Sequence, residues 1–364
     1  MMINVTKTYL PDRVKYKSYV DRIFDSGWVT NNGQFVQELE KRLCIYLGVE
    51  NLLLISNGTL ALQVAFRALR IEKEAITTPF SFVATASSMV WEGIEPVFSD
   101  IDPTTLNLDP EKILQHITHR TSAIVPVHVF GNACDIDAVE QIAQKHNLKT
   151  VYDAAHAFGV KYKGKSILEY GDASILSFHG TKVFHTIEGG AIVFKDKKHL
   201  EAARLMINFG IPGYDQISTL GINCKMNEFQ AAMGLCVLDD MEIIVRERKR
   251  VWDAYTDAFK NSENIELQKQ NALSSQNNSY YPIVLKSEEI LLQVKEALLE
   301  KEIAPRRYFY PSLEQVPYVK PGQLVPHSVS IAQRILCLPI YPNLEQEVQK
   351  TIIDTVIKTT SIYG

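Results

Sequence analysis

The chain has 364 residues, which suits one large α/β unit joined to a smaller one. Its 38 Lys and Arg residues nearly balance its 42 Asp and Glu residues, so the basic excess typical of nucleic-acid-binding proteins is missing. No run of about 18 apolar residues occurs, and the first residues lack the apolar stretch of a signal peptide. We therefore expect a globular cytoplasmic protein that neither spans a membrane nor binds nucleic acid.

Five cysteines are spread along the chain, at positions 44, 134, 224, 236 and 337. Their number is odd and no C-x-x-C pair occurs, so neither disulfide bonds nor a zinc site is predicted. We expect the chemistry of this protein to use no metal ion.

Residues 50 to 195 alternate short apolar runs with helical patterns. Strands are predicted at 52–55, 75–76, 96–98, 123–127, 149–152 and 174–177, and helices at 58–69, 81–91 and 135–146, with another helix starting at 109–111. This alternation is typical of a mostly parallel sheet with helices on both faces.

The pattern changes after Gly190. A strand is predicted at 191–194, followed by helices at 198–207, 227–239 and 241–260, and then by strand 280–285, helix 288–301, strand 335–338 and helix 344–358. We predict a large domain over residues 1–245, which includes an N-terminal segment that fits neither pattern well. A smaller α+β domain is predicted over residues 246–364.

The first polar signal is Ser56-Asn57-Gly58-Thr59, which follows an apolar strand and opens a helix. Unpaired N–H groups and a partial positive charge make a helix N-terminus suitable for binding phosphate. Gly58 allows a close backbone approach, and Thr59 adds a hydroxyl. A plain helix cap explains the motif at least as well when it is considered alone.

The second signal is Asp153, which follows the apolar strand at its carboxyl end and precedes Ala154-Ala155-His156. Ligands of open α/β sheets bind at the carboxyl ends of the strands. Considered alone, a helix-capping role for Asp153 is the more ordinary interpretation, and His156 fits a core position equally well.

The third signal is Lys182, in the block Ser177-Phe178-His179-Gly180-Thr181-Lys182. The block follows a short apolar strand and precedes Glu188-Gly189-Gly190 and the next strand. A lysine in such a loop either extends its amine to solvent or keeps it beside an apolar cleft. In the second case a lowered pKa makes the amine suitable for Schiff-base chemistry.

The three signals together fit pyridoxal 5′-phosphate (PLP). This cofactor needs a lysine for a Schiff base, an acid that keeps the pyridine nitrogen protonated, and a cradle for its phosphate. Lys182, Asp153 and the Gly58-Thr59 turn supply these three groups.

Several blocks of the sequence also resemble the DegT/DnrJ/EryC1/StrS sugar aminotransferases, which are fold-type I PLP enzymes. The resemblance covers nearly the whole chain, and its blocks are Trp28–Gly33, Ser56–Thr59, Asp153–His156, Ser177–Lys182, Glu188–Gly190, Gly221–Met226 and Leu336–Pro342. It implies a large domain with a seven-stranded, mostly parallel sheet flanked by helices, a small C-terminal α+β domain, and a homodimer with shared active sites.

The resemblance implies a role for each matching position. Lys182 corresponds to the Schiff-base lysine, which also moves the proton, and Asp153 corresponds to the partner of the pyridine nitrogen. The other implied cofactor contacts are Gly58, Thr59 and Ser177 for the phosphate, Phe82 for the ring face, His156 near the 3-hydroxyl, and Asn223 and Lys225, which reach the cofactor of the neighbouring subunit. Gly180 and Cys224 depart from the more usual residues without changing the spacing.

The resemblance also indicates the reaction. Sugar dehydratases of this kind carry His in place of the lysine, so Lys182 favours transamination, in which L-glutamate converts PLP to pyridoxamine 5′-phosphate and the amine then passes to a nucleotide-linked keto-sugar. The block around His179 and the Glu188-Gly189-Gly190 turn are similar to members that aminate C4 of the sugar. Together with residues 304–311, they favour dTDP-4-keto-6-deoxy-D-glucose as the acceptor, for O-antigen, lipopolysaccharide or other surface glycans.

Four residues are candidates for contacts with the sugar nucleotide. Arg306 and Arg307 have the charge that a diphosphate needs, although ordinary surface ion pairs explain them equally well. Thr30 and His185 are expected to face the sugar. The alternative functions are a 3-keto-sugar aminotransferase or a sugar dehydratase on the same scaffold, and a PLP-fold regulator without turnover.

Overall fold

The computed structural model describes residues 2–363. Its α-helices are α1 (Arg13–Ser26), α2 (Gln34–Leu47), α3 (Gly58–Ala68), α4 (Ala84–Trp91), α5 (Pro110–Ile113), α6 (Ile136–His146), α7 (Lys197–Met206), α8 (Glu228–Asp239), α9 (Met241–Phe259), α10 (Glu288–Leu299), α11 (Pro326–Arg334) and α12 (Gln346–Tyr363). Its strands are β1 (Ile3–Asn4), β2 (Leu52–Ile55), β3 (Glu74–Thr77), β4 (Glu95–Phe98), β5 (Thr121–Val125), β6 (Lys149–Asp153), β7 (Lys161–Tyr162), β8 (Lys165–Ser166), β9 (Ala173–Ser177), β10 (Gly190–Phe194), β11 (Ile265–Leu267), β12 (Tyr281–Leu285), β13 (Ile303–Ala304) and β14 (Ile335–Leu338).

Seven strands form the main sheet, in the order β2-β10-β9-β6-β5-β3-β4. Strand β10 is antiparallel to both of its neighbours, and the remaining pairs are parallel. The predicted seven-stranded, mostly parallel sheet is therefore confirmed. Because β2, β6 and β9 run in the same direction, the residues that follow them meet at one edge of the sheet.

Two apolar cores cover the two faces of this sheet. Along β2, Leu52 and Leu54 belong to one core, whereas Leu53 and Ile55 belong to the other, as the alternation of side chains along a strand requires. The first core is closed by α2, α6 and α8, and the second by α3 and α7. The sheet is buried on both faces, so its strands are continuous apolar runs that the sequence pattern can predict.

A second, smaller unit is built on the antiparallel sheet β11-β12-β14. Helix α9 joins the two units, because Ile244 packs in a main-sheet core and Val251 packs in the core of the small sheet. The predicted boundary between residues 245 and 246 lies within this helix. Strand β1 pairs with β13 of the smaller unit, although the prediction grouped the N-terminal segment with the large domain. A two-residue strand is too short to give a periodic signal.

Helices α1 and α2 were not predicted. In α1 only Ile23 is fully buried, and the stripe that it forms with Tyr16 and Tyr19 is interrupted by charged residues on the other faces, so its apolar signal is weak. In α2, by contrast, five residues from Phe35 to Leu47 form a regular buried stripe that is visible in the sequence. Among residues 2–363, no helix is both long enough and apolar enough to cross a membrane.

Candidate active site

A cleft of about 280 Å³ lies at the carboxyl edge of the main sheet, with its far wall formed by residues from 280 to 309. Eight of the predicted site residues line it. They are Gly58, Thr59, Phe82, Asp153, His156, Ser177, Lys182 and Arg306. Residues that are far apart in the sequence therefore meet in one cavity, as the strand directions require.

The N-terminus of α3 contributes one wall of the cleft. Asn57 caps the helix, because its side chain accepts a hydrogen bond from the Leu60 N–H, at 2.9 Å. A Cβ atom on Gly58 would lie only 2.9 Å from the Cβ of Ser177, so no larger residue fits between α3 and the end of β9. The first N–H groups of the helix and the hydroxyls of Thr59 and Ser177 thus form a cradle suitable for an anion. Capping and anion binding are compatible here, since different groups serve them.

Asp153 ends strand β6 and is almost completely buried. One carboxylate oxygen accepts a hydrogen bond from the Thr85 hydroxyl at 2.8 Å, and the other accepts one from the Ala155 N–H at 3.1 Å. Burial raises the pKa of this carboxyl group, whereas the two hydrogen bonds and the charge of Lys182 oppose the rise. A cationic ring nitrogen beside Asp153 would stabilise the charged form further.

The hydroxyl of Thr85 is itself hydrogen-bonded to Ser81 Oγ, at 2.8 Å, and both side chains are buried. Because the Thr85 proton is given to Asp153, Ser81 supplies the proton in this second bond. Neither residue was predicted to be a site residue. Thr85 lies in the first turn of α4, whereas Ser81 lies in the segment before that helix.

Lys182 follows a turn in which its backbone N–H donates to the His179 carbonyl, at 2.9 Å. Its amine lies 5.9 Å from the centre of the Tyr280 ring. Burial lowers the pKa of the amine to about 8, although the negative charge of Asp153 raises it. The uncharged form, which a nucleophile or a general base requires, is therefore far more populated near neutral pH than in an ordinary surface lysine.

His156 is buried and uncharged, because burial and the nearby charge of Lys182 lower its pKa well below the usual value. Its ring is nearly parallel to two aromatic neighbours that also contact each other, Phe130 at 6.0 Å and Phe309 at 5.9 Å between ring centres. The Phe130 N–H donates to Nδ1 at 3.3 Å, which assigns the ring proton to Nε2. His156 is thus a hydrogen-bond donor in the cleft as well as a packed core residue.

The far wall comes from the smaller unit and includes Tyr280, Tyr308 and Phe309, none of which was predicted to be a site residue. Burial raises the pKa of the Tyr280 phenol, so it stays protonated. Arg306 is fixed by backbone hydrogen bonds to Cys337, and its guanidinium group lies 4.3 Å from the centre of the Tyr308 ring. Tyr280 immediately precedes β12, and it packs in a different core from Tyr281, the first residue of that strand.

Three of the predicted substrate residues do not line the cleft. His185 is fully buried, with Nε2 at 2.6 Å from the Tyr9 carbonyl and Nδ1 accepting the Ile187 N–H, so neither ring nitrogen is available to a sugar. Arg307 pairs with Glu288 at 2.6 Å, so the ion-pair interpretation holds for this arginine. Thr30 lies in an exposed turn. The assignments of His185 and Arg307 are corrected, because positions near a motif need not face its cavity. Thr30 does not face the cleft of its own chain, and its contact with the sugar stays a prediction.

Asn223 and Lys225 also lie outside the cleft of their own chain. The Lys225 amine donates to the Asn223 side chain at 2.8 Å and lies 5.1 Å from the centre of the Phe209 ring. Lys225 lines a second surface cleft of about 240 Å³, together with Asn31 and Asn32. The two residues are thus presented outward, on a surface that differs from the cleft around Lys182.

Comparison with known proteins places the chain in one family. Residues 12–357 match the DegT/DnrJ/EryC1/StrS aminotransferase family. A dTDP-4-amino-4,6-dideoxy-D-glucose transaminase of Shigella dysenteriae is 43% identical over 359 residues, which cover 97% of this chain and 98% of that protein. A protein of the same name from Escherichia coli is 39% identical over 355 residues, or 95% of each chain.

Solved structures agree with this result. The crystal structure of DesI in the presence of its TDP-sugar product superposes with a TM-score of 0.93 at 32% identity, covering 99% of this chain and 93% of that one. Helicobacter pylori PseC, an aminotransferase involved in the biosynthesis of pseudoaminic acid, has a TM-score of 0.90 at 27% identity over the full length of both chains. The fold, the cleft and the sequence matches lead to one conclusion: the chain belongs to the DegT/DnrJ/EryC1/StrS aminotransferase family.

Proposed function

We propose that this protein is a PLP-dependent aminotransferase that moves the amino group of L-glutamate to C4 of dTDP-4-keto-6-deoxy-D-glucose. The products are dTDP-4-amino-4,6-dideoxyglucose and 2-oxoglutarate. The observation that carries the proposal is the convergence of Lys182, Asp153 and the α3 N-terminus in one cleft. The choice of acceptor is supported by the two relatives named dTDP-4-amino-4,6-dideoxy-D-glucose transaminase.

The cleft residues fit PLP in charge and in shape. The N-terminus of α3 and Ser177 form a cradle for the phosphate, in which a Cβ atom on Gly58 would fill the space. Lys182 is the amine for the aldehyde, Asp153 the partner of the pyridine nitrogen, and Phe82 an exposed aromatic ring for the face of the cofactor. When bound, PLP supplies a ring that withdraws electrons from the carbon next to the amino group.

The protein's own groups then control protons. Asp153, fixed by Thr85 and the Ala155 N–H, stabilises a proton on the pyridine nitrogen through its negative charge. The Lys182 amine, with its lowered pKa, removes a proton from the substrate carbon in one half-reaction and returns one in the other. His156 donates a hydrogen bond from Nε2 without changing its charge, because burial keeps it neutral.

The acceptor side of the site uses cationic and aromatic groups. Arg306 lines the cleft and is exposed, so its guanidinium group is available to the diphosphate of the acceptor. Asn223 and Lys225 are assigned to the cofactor of a second subunit, since they face outward on this chain. The proposed enzyme is accordingly a homodimer with shared active sites.

The test is a visible absorption spectrum of the purified protein loaded with PLP. L-Glutamate is added first, and dTDP-4-keto-6-deoxy-D-glucose is added after excess glutamate has been removed. We expect the absorption of bound PLP to disappear with glutamate and to return with the sugar. If the absorption disappears with glutamate but does not return with the sugar, the aminotransferase assignment stands and this acceptor is rejected. The C3-keto isomer would then be tested. No response to glutamate would contradict the proposal itself.

A further inference from the structure

Glu228 is a buried acid that the reaction described above does not use. It begins α8, and only 1% of its surface is exposed. Its two carboxylate oxygens accept hydrogen bonds from the backbone N–H groups of Phe35, at 2.8 Å, and Val36, at 3.0 Å. Its own N–H donates to the Val29 carbonyl at 3.1 Å. One residue of α8 therefore binds both ends of the segment that connects α1 to α2.

The segment between these two attachment points is the turn 30–33. Asn31 and Asn32 both have positive φ angles, of 62° and 58°, which non-glycine residues seldom adopt. Gly33 fits between two side chains, because a Cβ atom there would lie 2.5 Å from Cδ of Glu228 and 2.6 Å from Trp28. The conformation of the turn thus depends on tertiary contacts, and the Glu228 carboxylate supplies two of them.

The turn and the segment before α8 form one surface. Asn31 and Asn32 line the second cleft together with Lys225 and Met226, which lie a few residues before Glu228. Asn227 fixes the start of α8 independently, through a reciprocal pair of hydrogen bonds with Gln230. Loss of the Glu228 carboxylate would therefore release the turn 30–33 but leave the Asn223–Met226 segment attached to α8.

We propose that Glu228 is a positioning residue for the acceptor sugar nucleotide. It sets the turn 30–33 against the Asn223–Met226 segment, so that the turn contacts the acceptor bound at the neighbouring subunit, beside the cofactor that the segment reaches there. The proposal rests on the proposed function and its shared sites, and it explains why Thr30 does not line the cleft of its own chain. The residue acts on acceptor binding, and not on the chemistry with glutamate.

The experiment compares Glu228→Gln with a matched control, Asp100→Asn. Asp100 is also a buried acid and also accepts two backbone N–H groups at a helix start, those of His327 and Ser328 at 2.9 Å each. A Gln side chain at 228 directs an amide NH₂ at a backbone N–H, because the carboxylate has an acceptor facing each donor. Each half-reaction is followed separately by visible absorption, and thymidine diphosphate binding is measured by calorimetry.

We expect Glu228→Gln to raise the sugar concentration for half-maximal rate by about tenfold and to weaken thymidine diphosphate binding similarly. The glutamate half-reaction and the affinity for PLP should stay unchanged, and Asp100→Asn should change neither half-reaction. Equal effects on both half-reactions, or none on the acceptor, would reject the positioning role.

If Glu228→Gln does not fold, Gly33→Ala decides the matter, since its methyl group displaces the same carboxylate. It should reproduce the selective loss of acceptor binding, and an unchanged acceptor half-reaction would reject the role. A wild-type protein that ignores the keto-sugar would instead reject the proposed function, so the two failures are distinguishable.

Discussion

The two walls of the cleft differ in how the chain builds them. On the sheet wall, Gly58, Asp153 and Ser177 each lie at or just beyond the end of a strand of the main sheet, so their positions follow from the sheet itself. On the far wall, Tyr280 and Arg306 come from the smaller unit and are positioned by long-range contacts. The first wall is a property of strand order, whereas the second is a property of how two units pack.

This difference separates two tasks. Proton transfer and cofactor binding need groups fixed to a fraction of an ångström, and strand ends on a buried sheet provide such positions. Acceptor selection needs a surface that can change without disturbing the chemistry, and the far wall supplies it. The walls are joined by an aromatic contact between Phe130 and Phe309, whose ring centres are 5.4 Å apart. We expect mutations in the first wall to affect both half-reactions, and mutations in the second to affect the acceptor.

The largest effect is expected from Lys182→Ala. Removal of the amine should abolish turnover in both half-reactions, because no other group in the cleft can replace a lysine that both holds PLP and moves the proton. Stopped-flow absorption with glutamate measures this directly. Lys163→Ala is the control, since Lys163 forms a surface ion pair with Asp137 away from the cleft, and it should keep full activity. Measurable turnover by the Lys182 variant would remove the basis of the proposed mechanism.

A smaller effect on both half-reactions is expected from Asp153→Asn. The amide keeps the shape but loses the charge that stabilises a proton on the pyridine nitrogen, so each rate should fall roughly a hundredfold. Single-turnover rates with glutamate and with the sugar check this. Asp135→Asn, which replaces the capping acid of α6 with another good cap, should leave both rates unchanged. Equal rates in wild type and the Asp153 variant would exclude the role at the nitrogen.

An effect confined to the acceptor is expected from Arg306→Gln. If this arginine binds the diphosphate, the sugar concentration for half-maximal rate should rise about tenfold while the PLP affinity is unchanged. Arg307→Gln is the matched control, because its guanidinium group already pairs with Glu288 away from the cleft. Arg307→Gln should lower the melting temperature and have little effect on acceptor binding. If Arg307→Gln weakened acceptor binding more than Arg306→Gln does, Arg307 and not Arg306 would be the arginine that binds the acceptor.

The sequence predicts the sheet wall better than the far wall, for a physical reason. Strands such as β2 and β6 are buried on both faces, so their apolar runs are visible, and the polar residue that follows each run marks the edge of the sheet. No such rule relates Arg306 and Arg307. They have the same charge and adjacent positions, but only one faces the cleft. Which of two neighbours turns inward depends on the backbone hydrogen bonds to Cys337, which are set by tertiary packing.

The smallest expected effect is a shift in a pH profile, and it tests whether the sheet wall is as desolvated as its geometry indicates. Burial lowers the Lys182 pKa from 10.5 to about 8, and only the uncharged amine attacks the PLP aldehyde. The rate of PLP uptake by cofactor-free protein should therefore rise with pH, with a midpoint near 8. Visible absorption at a series of pH values measures this rate.

The charge of Asp153 raises the Lys182 pKa, so Asp153→Asn should move the midpoint of the uptake profile to lower pH. Arg306→Gln, on the far wall, should leave the midpoint in place, because Asp153 is the charged group that acts on this amine. A wild-type midpoint close to 10.5 would mean that water reaches Lys182 freely. The amine would then behave like a surface lysine. The sheet wall would not be desolvated at Lys182, and it would no longer differ from the far wall in this respect.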